Sequence, residues 1–194
     1  MRIIDVSKYQ GKIDWRAVSE VEDLAGVIFR TTTKNGELDE GLIENHKNAK
    51  LNFNDHFNVV EGYKMTYARN YIDARIECFN TISKLDSALI DIDMLWLDLE
   101  KQGEHEMTSK ECDEVIMAYC DQCYLMGIKL GLYFNRNYAL NIVNPRWNHL
   151  PLWIARYNSE LGDIGKWKAK YWQFTDCGLI DGIEKNVDIS KVFT

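Results

Sequence analysis

The stretch that decides the fold is "DMLWLDLE", residues 93–100. Its apolar run is typical of a parallel strand that is buried on both faces of a sheet. Two carboxylates, Asp98 and Glu100, stand at its C-terminal end. Residues two apart on a strand point to the same side, about 6.6 Å apart along the chain. We therefore expect both acids to face one opening of the sheet, while Leu97 and Leu99 face surrounding helices.

Short apolar runs alternate with amphipathic segments on both sides of this stretch, which is typical of β/α units. Strands are predicted at 2–6, 26–32, 57–63, 93–100 and 128–135, and helices at 15–21, 42–51, 71–85 and 108–126. Asp14 is expected to cap the first helix, and a capping box of Thr108 and Glu111 to open the last. The buried stripe of the helix at 71–85 is expected to comprise Ile72, Ile76, Phe79, Ile82 and Leu85.

The alternation of strands and helices changes after residue 135. Strands are predicted at 150–157, 170–175 and 186–190, but the connections between them are too short or irregular for regular helices. Five β/α units followed by three strands with little helix predict an α/β fold, an irregular TIM-like (β/α) barrel. An open doubly wound sheet is the alternative, although the sequence contains neither of the glycine-rich phosphate loops common in such sheets.

Composition and charge narrow the classes of partner. The chain has 194 residues, of which 46% are hydrophobic, and a net charge of -7. This charge argues against nucleic acid as a partner, because phosphate binding needs a cationic face. No apolar stretch approaches the roughly 18 residues of a membrane span, so no membrane partner is predicted. An anionic substrate would have to be attracted locally or by a separate module.

The five cysteines are odd in number and irregular in spacing, which fits a chain held in a reducing compartment. Cys120 and Cys123 form a C-x-x-C motif that raises the alternatives of zinc binding or redox work. No second ligand pair completes such a site, and within a helix residues three apart are simply neighbours. We expect ordinary packed thiols and neither a metal nor a cofactor.

Acidic residues are predicted to gather at one end of the barrel, because parallel strands bring their C-terminal ends to the same mouth. Asp5 ends the first strand, Asp98 and Glu100 the fourth, and Asp188 lies on the last. Crowding raises the proton affinity of at least one of these acids. A protonated group beside an ionised one is what acid-assisted glycosidic cleavage requires. The alternative is that the acids cap loops or pair with Arg or Lys.

Six motifs occur in a fixed order along the chain: "DVSKYQGKIDW" (5–15), "WLDLE" (96–100), "PLWIARY" (151–157), "YWQFT" (171–175), "IDGI" (180–183) and "NVDIS" (186–190). Together they resemble glycoside hydrolase family 25, the Chalaropsis-type lysozymes, over residues 3–193. The resemblance implies hydrolysis of the β-1,4 bond between N-acetylmuramic acid and N-acetylglucosamine in bacterial peptidoglycan.

The resemblance also implies roles for individual residues. Glu100 would be the general acid and base, and Asp98 would orient the 2-acetamido group of the substrate. Asp5 and Asp188 would complete the acidic cluster. The substrate-binding candidates are Gln10, Arg30, Tyr63, Tyr133, Trp153, Tyr157, Trp172 and Gln173. We expect a retaining mechanism assisted by the substrate's acetamido group, with direct attack by water and inversion as the alternative.

The chain departs from the family pattern in two places. In "RTTTKNG" (30–36), Lys34 lies near the position where many members carry an acidic residue, which is expected to change a contact to the substrate. Many members also carry a C-terminal wall-binding module, and nothing here resembles one. We expect residues 1–194 to form a single catalytic domain that works as a monomer, with such a module separate or missing.

The N-terminus shows no signal peptide. Synthesis in the bacterial cytoplasm is expected, with release to the cell wall through a holin pore or at lysis, as for a phage endolysin; a host autolysin is the alternative. Two other functions stay open at this point. One is a chitinase-like hydrolase of N-acetylglucosamine polymers, and the other is a non-catalytic relative that binds glycans.

Overall fold

A computed structural model describes residues 1–53 and 57–193. Within them, eight strands close into a barrel in sequence order. The strands are β1 (Arg2–Val6), β2 (Leu24–Arg30), β3 (Val59–Met65), β4 (Leu95–Asp98), β5 (Leu130–Asn135), β6 (Leu152–Ala155), β7 (Ala169–Ile180) and β8 (Ile183–Val192). The α-helices are α1 (Trp15–Ser19), α2 (Leu42–Asn52), α3 (Tyr71–Ser87) and α4 (Ser109–Met126). The predicted irregular TIM-like barrel is confirmed, and its last third carries only short 3₁₀ and π turns.

The predicted helix signals have direct physical counterparts. The Asp14 side chain accepts hydrogen bonds from the backbone N–H groups at the start of α1. Thr108 and Glu111 form the reciprocal capping box of α4, and Gly127 ends that helix in the left-handed conformation at φ 71°. Helix α1 ends at Ser19, two residues earlier than expected.

The direction of β8 corrects the parallel barrel that we expected. Strands β1 to β7 run parallel, but β8 pairs antiparallel with both β7 and β1. A two-residue turn, Asp181 and Gly182, joins β7 to β8, whereas a parallel neighbour needs a crossover of a dozen or more residues. Gly182 has φ 92°, which favours glycine at that position.

The side chains of β4 alternate as its sequence predicts. Leu97 and Leu99 are buried in the core between the barrel and the helices α3 and α4. Trp96 points into the barrel, where it is buried with Trp153 and Tyr171.

Helix α3 buries a different face from the predicted one. Ile82 and Leu85 are buried as expected, but Ile72, Ile76 and Phe79 are 67%, 54% and 49% exposed. The apolar stripe was therefore wrong for its first three members, because helix period alone does not distinguish a large apolar face from a neighbouring face of small residues.

The small residues of α3 explain its orientation. Ala74 and Cys78 are fully buried against α4, and the Cys78 Sγ lies 3.6 Å from the Cys123 Sγ. Small side chains let the two helices approach closely. Cys123 of the C-x-x-C motif is thus a packed thiol, and Cys120 beside it is half-buried and unpaired as well.

The barrel is filled around one indole ring. Trp96 stands directly opposite Gly131 on β5. A Cβ atom at Gly131 would lie 2.4 Å from a ring atom of Trp96, closer than any side chain allows. Glycine at this position therefore makes room for the ring inside the barrel.

A buried carboxylate, Glu61, lies beside this ring toward the N-terminal ends of the parallel strands. One of its oxygens accepts hydrogen bonds from the Lys170 Nζ at 3.0 Å and the Tyr171 hydroxyl at 3.1 Å. The other accepts from the Trp96 indole N–H at 2.6 Å. We call these four residues the Glu61 network, and in it every buried polar group has a partner.

Candidate active site

A cavity of about 220 Å³ opens at the other end of the barrel. Eleven residues line it: Asp5, Arg30, Tyr63, Met65, Asp98, Glu100, Tyr133, Trp153, Tyr157, Gln173 and Asp188. Ten of these were predicted site residues. The cavity thus brings together side chains from β1 to β8 at the mouth that the fold predicts.

Asp98 and Glu100 line the same side of the sheet, as their spacing predicts. Asp98 is the last residue of β4 and only 5% exposed, and its Oδ1 has no hydrogen-bond partner among the described residues. Burial, followed by the neighbouring charges of Glu100 and Asp5, raises the pKa of Asp98 well above its usual value. Burial also raises the pKa of Glu100, and the nearby Tyr133 hydroxyl opposes that rise.

Asp5 and Asp188 face each other across the antiparallel pair of β1 and β8. The Gln173 Nε2 donates to both, at 3.0 Å to Asp5 and 3.2 Å to Asp188. Burial and the charge of Asp188 raise the pKa of Asp5 well above its usual value. Burial and the charge of Asp176 raise the pKa of Asp188 to about 6. Asp188 thus reaches the mouth from the middle of its strand.

The other end of the Gln173 amide accepts two phenol hydroxyls. Tyr133 donates to its Oε1 at 2.8 Å and Tyr157 at 3.1 Å. Gln173 therefore forms hydrogen bonds through both its amide nitrogen and its amide oxygen, and it holds four side chains in place. Beside it, the Trp153 ring packs 4.4 Å from the Tyr133 ring and its indole N–H donates to Ser190 at 2.9 Å.

Met65 lines the cavity although we did not predict it as a site residue. It lies two positions after Tyr63 on β3 and therefore shares its face. The strand period predicts this shared face, but a thioether by itself suggests no catalytic chemistry.

Two predicted site residues, Trp172 and Gln10, do not line the cavity. Trp172 alternates with Tyr171 and Gln173 on β7, so it points outward into the helix-facing core, where its indole N–H donates to the Arg156 carbonyl at 2.9 Å. Gln10 closes a capping box with Ser7 and donates to the Asn186 carbonyl at 3.1 Å. These hydrogen bonds hold the segment after β1 against β8.

The arrangement can hold and deliver a proton. Four carboxylates share the cavity with a single cationic side chain, Arg30, so their charged forms are poorly compensated. The cluster therefore keeps protons at a pH where an isolated carboxylate is ionised. Phenol rings and an indole beside it provide flat surfaces of the kind that pack against sugar rings.

Within residues 1–53 and 57–193, no group of three or more His, Cys, Asp or Glu side chains is arranged to hold a metal ion. In the same described part of the chain, no helix is both long and apolar enough to cross a membrane.

The chain is similar to known proteins in both sequence and structure. Residues 4–183 match the profile of glycosyl hydrolases family 25. The autolytic lysozyme of Clostridium acetobutylicum is 24% identical over 204 residues, an alignment that covers 98% of this chain and 55% of that protein. The uncharacterized protein YegX of Escherichia coli K12 is 22% identical over 188 residues, 96% of this chain and 67% of that protein.

Two solved structures show the same barrel. The modular autolysin LytC of Streptococcus pneumoniae, in complex with a synthetic peptidoglycan ligand, superposes with a TM-score of 0.84 at 25% identity. The alignment covers 97% of this chain but 46% of LytC, so this chain spans less than half of that protein. The bacterial lysozyme of Streptomyces coelicolor superposes with a TM-score of 0.79 at 16% identity, over 99% of this chain and 91% of that one.

Proposed function

Because this chain belongs to glycosyl hydrolase family 25, we propose that it is a muramidase of bacterial peptidoglycan. It hydrolyses the β-1,4 bond between N-acetylmuramic acid and N-acetylglucosamine. The observation that carries this proposal is the placement of Asp98 and Glu100 in one cavity with both pKa values raised. LytC, whose structure contains a peptidoglycan ligand, has the same fold.

Glu100 is the proton donor in this proposal. It is less buried than Asp98, and its raised pKa lets it keep its proton to higher pH than an isolated glutamate, as a general acid needs. The Glu100 proton passes to the glycosidic oxygen as the bond to the anomeric carbon breaks. The acetamido oxygen of the substrate attacks that carbon and forms an oxazolinium ion. Ionised Glu100 then takes a proton from the water that opens this ion.

Asp98 serves the acetamido group. Its buried Oδ1 has no partner among the described residues, so an acetamido N–H that reached it would satisfy a carboxylate oxygen that now has none. Positive charge on the oxazolinium ion favours ionised Asp98, which adds stabilisation in the transition state. Asp5 and Asp188 hold the Gln173 amide and set the acidity of the cavity.

Mass spectrometry of the fragments released from purified peptidoglycan tests the bond that is cut. The expected products carry N-acetylmuramic acid at the reducing end. N-acetylglucosamine at the reducing end would show a different specificity. Release from chitin oligomers at an equal rate would favour the chitinase-like alternative. Binding to cell walls without any release would favour a non-catalytic relative.

Proton NMR of the first-formed anomer tests the mechanism. A retaining reaction on a β-linked substrate gives the β anomer first, before mutarotation mixes the two forms. Early α anomer would instead show inversion by direct attack of water.

The proposal also covers the compartment in which the enzyme is made and how it reaches the cell wall. Five cysteines are free, three of them buried, which fits synthesis in a reducing compartment such as the bacterial cytoplasm. Access to the wall would follow release at lysis or through a holin pore. We propose that the catalytic domain is monomeric and that any wall-binding module is separate; light scattering at several concentrations tests the first point.

A further inference from the structure

Arg30 is the one cation among the eleven residues that line the cavity, and four of the others are carboxylates. It ends β2 and stands beside Tyr63 in the sheet. Across the described residues its guanidinium makes no side-chain hydrogen bond and no ion pair within 4.0 Å. A guanidinium has five donors in a planar fork and normally binds a carboxylate with two of them. The Arg30 guanidinium therefore lines the cavity without a protein acceptor among the described residues.

Lys34 is a second cation, close to Arg30 in sequence. It is exposed in the loop after β2, and its Nζ lies 5.4 Å from the centre of the Tyr67 ring. The Tyr67 hydroxyl donates to the Met65 Sδ at 3.4 Å, and Met65 lines the cavity. A contact path thus leads from the cavity to Lys34. We call Arg30 and Lys34 the basic strip.

We infer that the basic strip binds the carboxylate groups that distinguish a muramyl residue from N-acetylglucosamine. This inference rests on the proposed function and deepens it. The lactyl ether of muramic acid ends in a carboxyl group, which is free in stripped glycan and amide-linked to a stem peptide in intact wall. The stem peptide carries carboxylates of its own. N-acetylglucosamine polymers carry none.

Charge complementarity assigns the two positions. The chain has a net charge of -7, so an anionic substituent is repelled everywhere except near local cations. Arg30, inside the cavity, meets the group nearest the sugar ring, which is the lactyl carboxylate of stripped glycan or the lactyl amide carbonyl of intact wall. Lys34, outside the cavity and reached through Tyr67, meets the carboxylates of the stem. The strip therefore fixes which sugar of an alternating strand enters the cavity beside Glu100.

Three soluble glycans separate the two sources of carboxylate. The first keeps its stem peptides, the second is stripped by an amidase and has free lactyl carboxylates, and the third is the stripped glycan with those carboxylates converted to neutral methylamides. The variants are Arg30→Gln and Lys34→Gln. Arg16→Gln is the matched control, because Arg16 is 84% exposed on α1 and does not line the cavity.

Arg30→Gln is expected to lower the ratio of kcat/KM on stripped glycan to kcat/KM on the methylamide by about 10- to 100-fold, the effect of one charge-assisted hydrogen-bonded pair. Lys34→Gln is expected to lower the ratio for stem-bearing over stripped glycan by about 2- to 5-fold, since its contact is exposed. Arg16→Gln should leave both ratios unchanged. An unchanged first ratio for Arg30→Gln overturns the role of Arg30, and an unchanged second ratio for Lys34→Gln overturns that of Lys34.

A uniform loss on all three glycans, with a shifted pH profile, would show that Arg30 acts through Asp98 and would also overturn the inference. If the wild type cleaves none of the three glycans, the proposed function fails. Binding calorimetry still tests the role of the basic strip in that case. The Glu100→Gln variant should then bind stripped glycan more tightly than its methylamide, and adding Arg30→Gln should abolish that preference. Equal binding of the two glycans would rule out carboxylate recognition.

Discussion

Glu61 and the carboxylates of the cavity lie inside one barrel, yet their surroundings are opposite. Glu61 accepts three hydrogen bonds, one of them from a lysine. Asp98, on the next strand, has a buried oxygen with no partner among the described residues. A buried charge that is fully partnered stabilises the fold, whereas one that is not raises its own pKa and becomes available for chemistry. Four predictions break or sharpen this comparison.

Glu100→Gln is expected to have the largest effect. Without its proton donor the enzyme should lose about 10²- to 10⁴-fold in kcat, because general acid catalysis contributes that much. The melting temperature should not fall, since the change removes a poorly compensated carboxylate. Turbidity clearance of cell walls and calorimetry measure the two effects. Glu104→Gln, in the exposed loop that follows, is the control; near-normal clearance by Glu100→Gln would refute its role.

Glu61→Leu is expected to have the opposite effect, a loss of stability in place of a loss of kcat. It leaves the buried donors of Trp96 and Tyr171 without their acceptor, at a cost of about 1–3 kcal/mol each, whereas Lys170 is 38% exposed and can turn to solvent. Glu61→Gln keeps an acceptor oxygen and should lose less. Urea unfolding measures both variants. Stability equal to the wild type in Glu61→Leu would mean that the Glu61 network is not structural and that the contrast between the two ends is mistaken.

The pH profile of kcat sharpens the role of Glu100. Because its pKa is raised, the limb on which activity falls with rising pH should lie above the value of about 4.3 for an isolated glutamate. The Tyr133 hydroxyl lowers this pKa, so Tyr133→Phe should move the limb to higher pH. Movement to lower pH would contradict this effect of the Tyr133 hydroxyl. Tyr124→Phe, on the exposed side of α4, should leave the limb in place.

Asp188→Asn is expected to have the smallest effect and tests the electrostatic strain. The folded pKa of Asp188 is about 6 against an ordinary 3.8, so the folded state binds its proton more tightly. That contribution to stability is present below about pH 4 and is lost as the pH rises through about 6. The variant should therefore melt about 2–4 °C higher than the wild type at pH 8, with no gain at pH 4. Calorimetry at the two pH values decides, and a lower melting temperature at pH 8 would contradict the prediction.

The sequence predicted most of the cavity because the strand period is exact. Asp98 and Glu100, or Tyr171 and Gln173, must share a face if the strand is regular, and they do. The same rule, applied to "YWQ" (171–173), places Trp172 on the opposite face of β7 from the two residues beside it.

Other features of the structure could not be predicted from the local sequence pattern. The antiparallel course of β8 follows from the Asp181-Gly182 turn, but its pairing with β1 depends on closure of the whole barrel. The orientation of α3 depends on the shape of α4, so its exposed Ile72, Ile76 and Phe79 could not be distinguished from buried residues by period. The Gln173 hydrogen bonds join β7 to four other parts of the chain and have no sequence signature.

Closure by β8 has a consequence for the order of events during synthesis. Until this last strand is made, β1 and β7 both expose unpaired backbone edges, and Asp188 is absent from the cavity. A nascent chain on the ribosome therefore has neither a closed barrel nor a complete set of acids. We therefore expect a product that is truncated before β8 to be neither folded nor active on peptidoglycan.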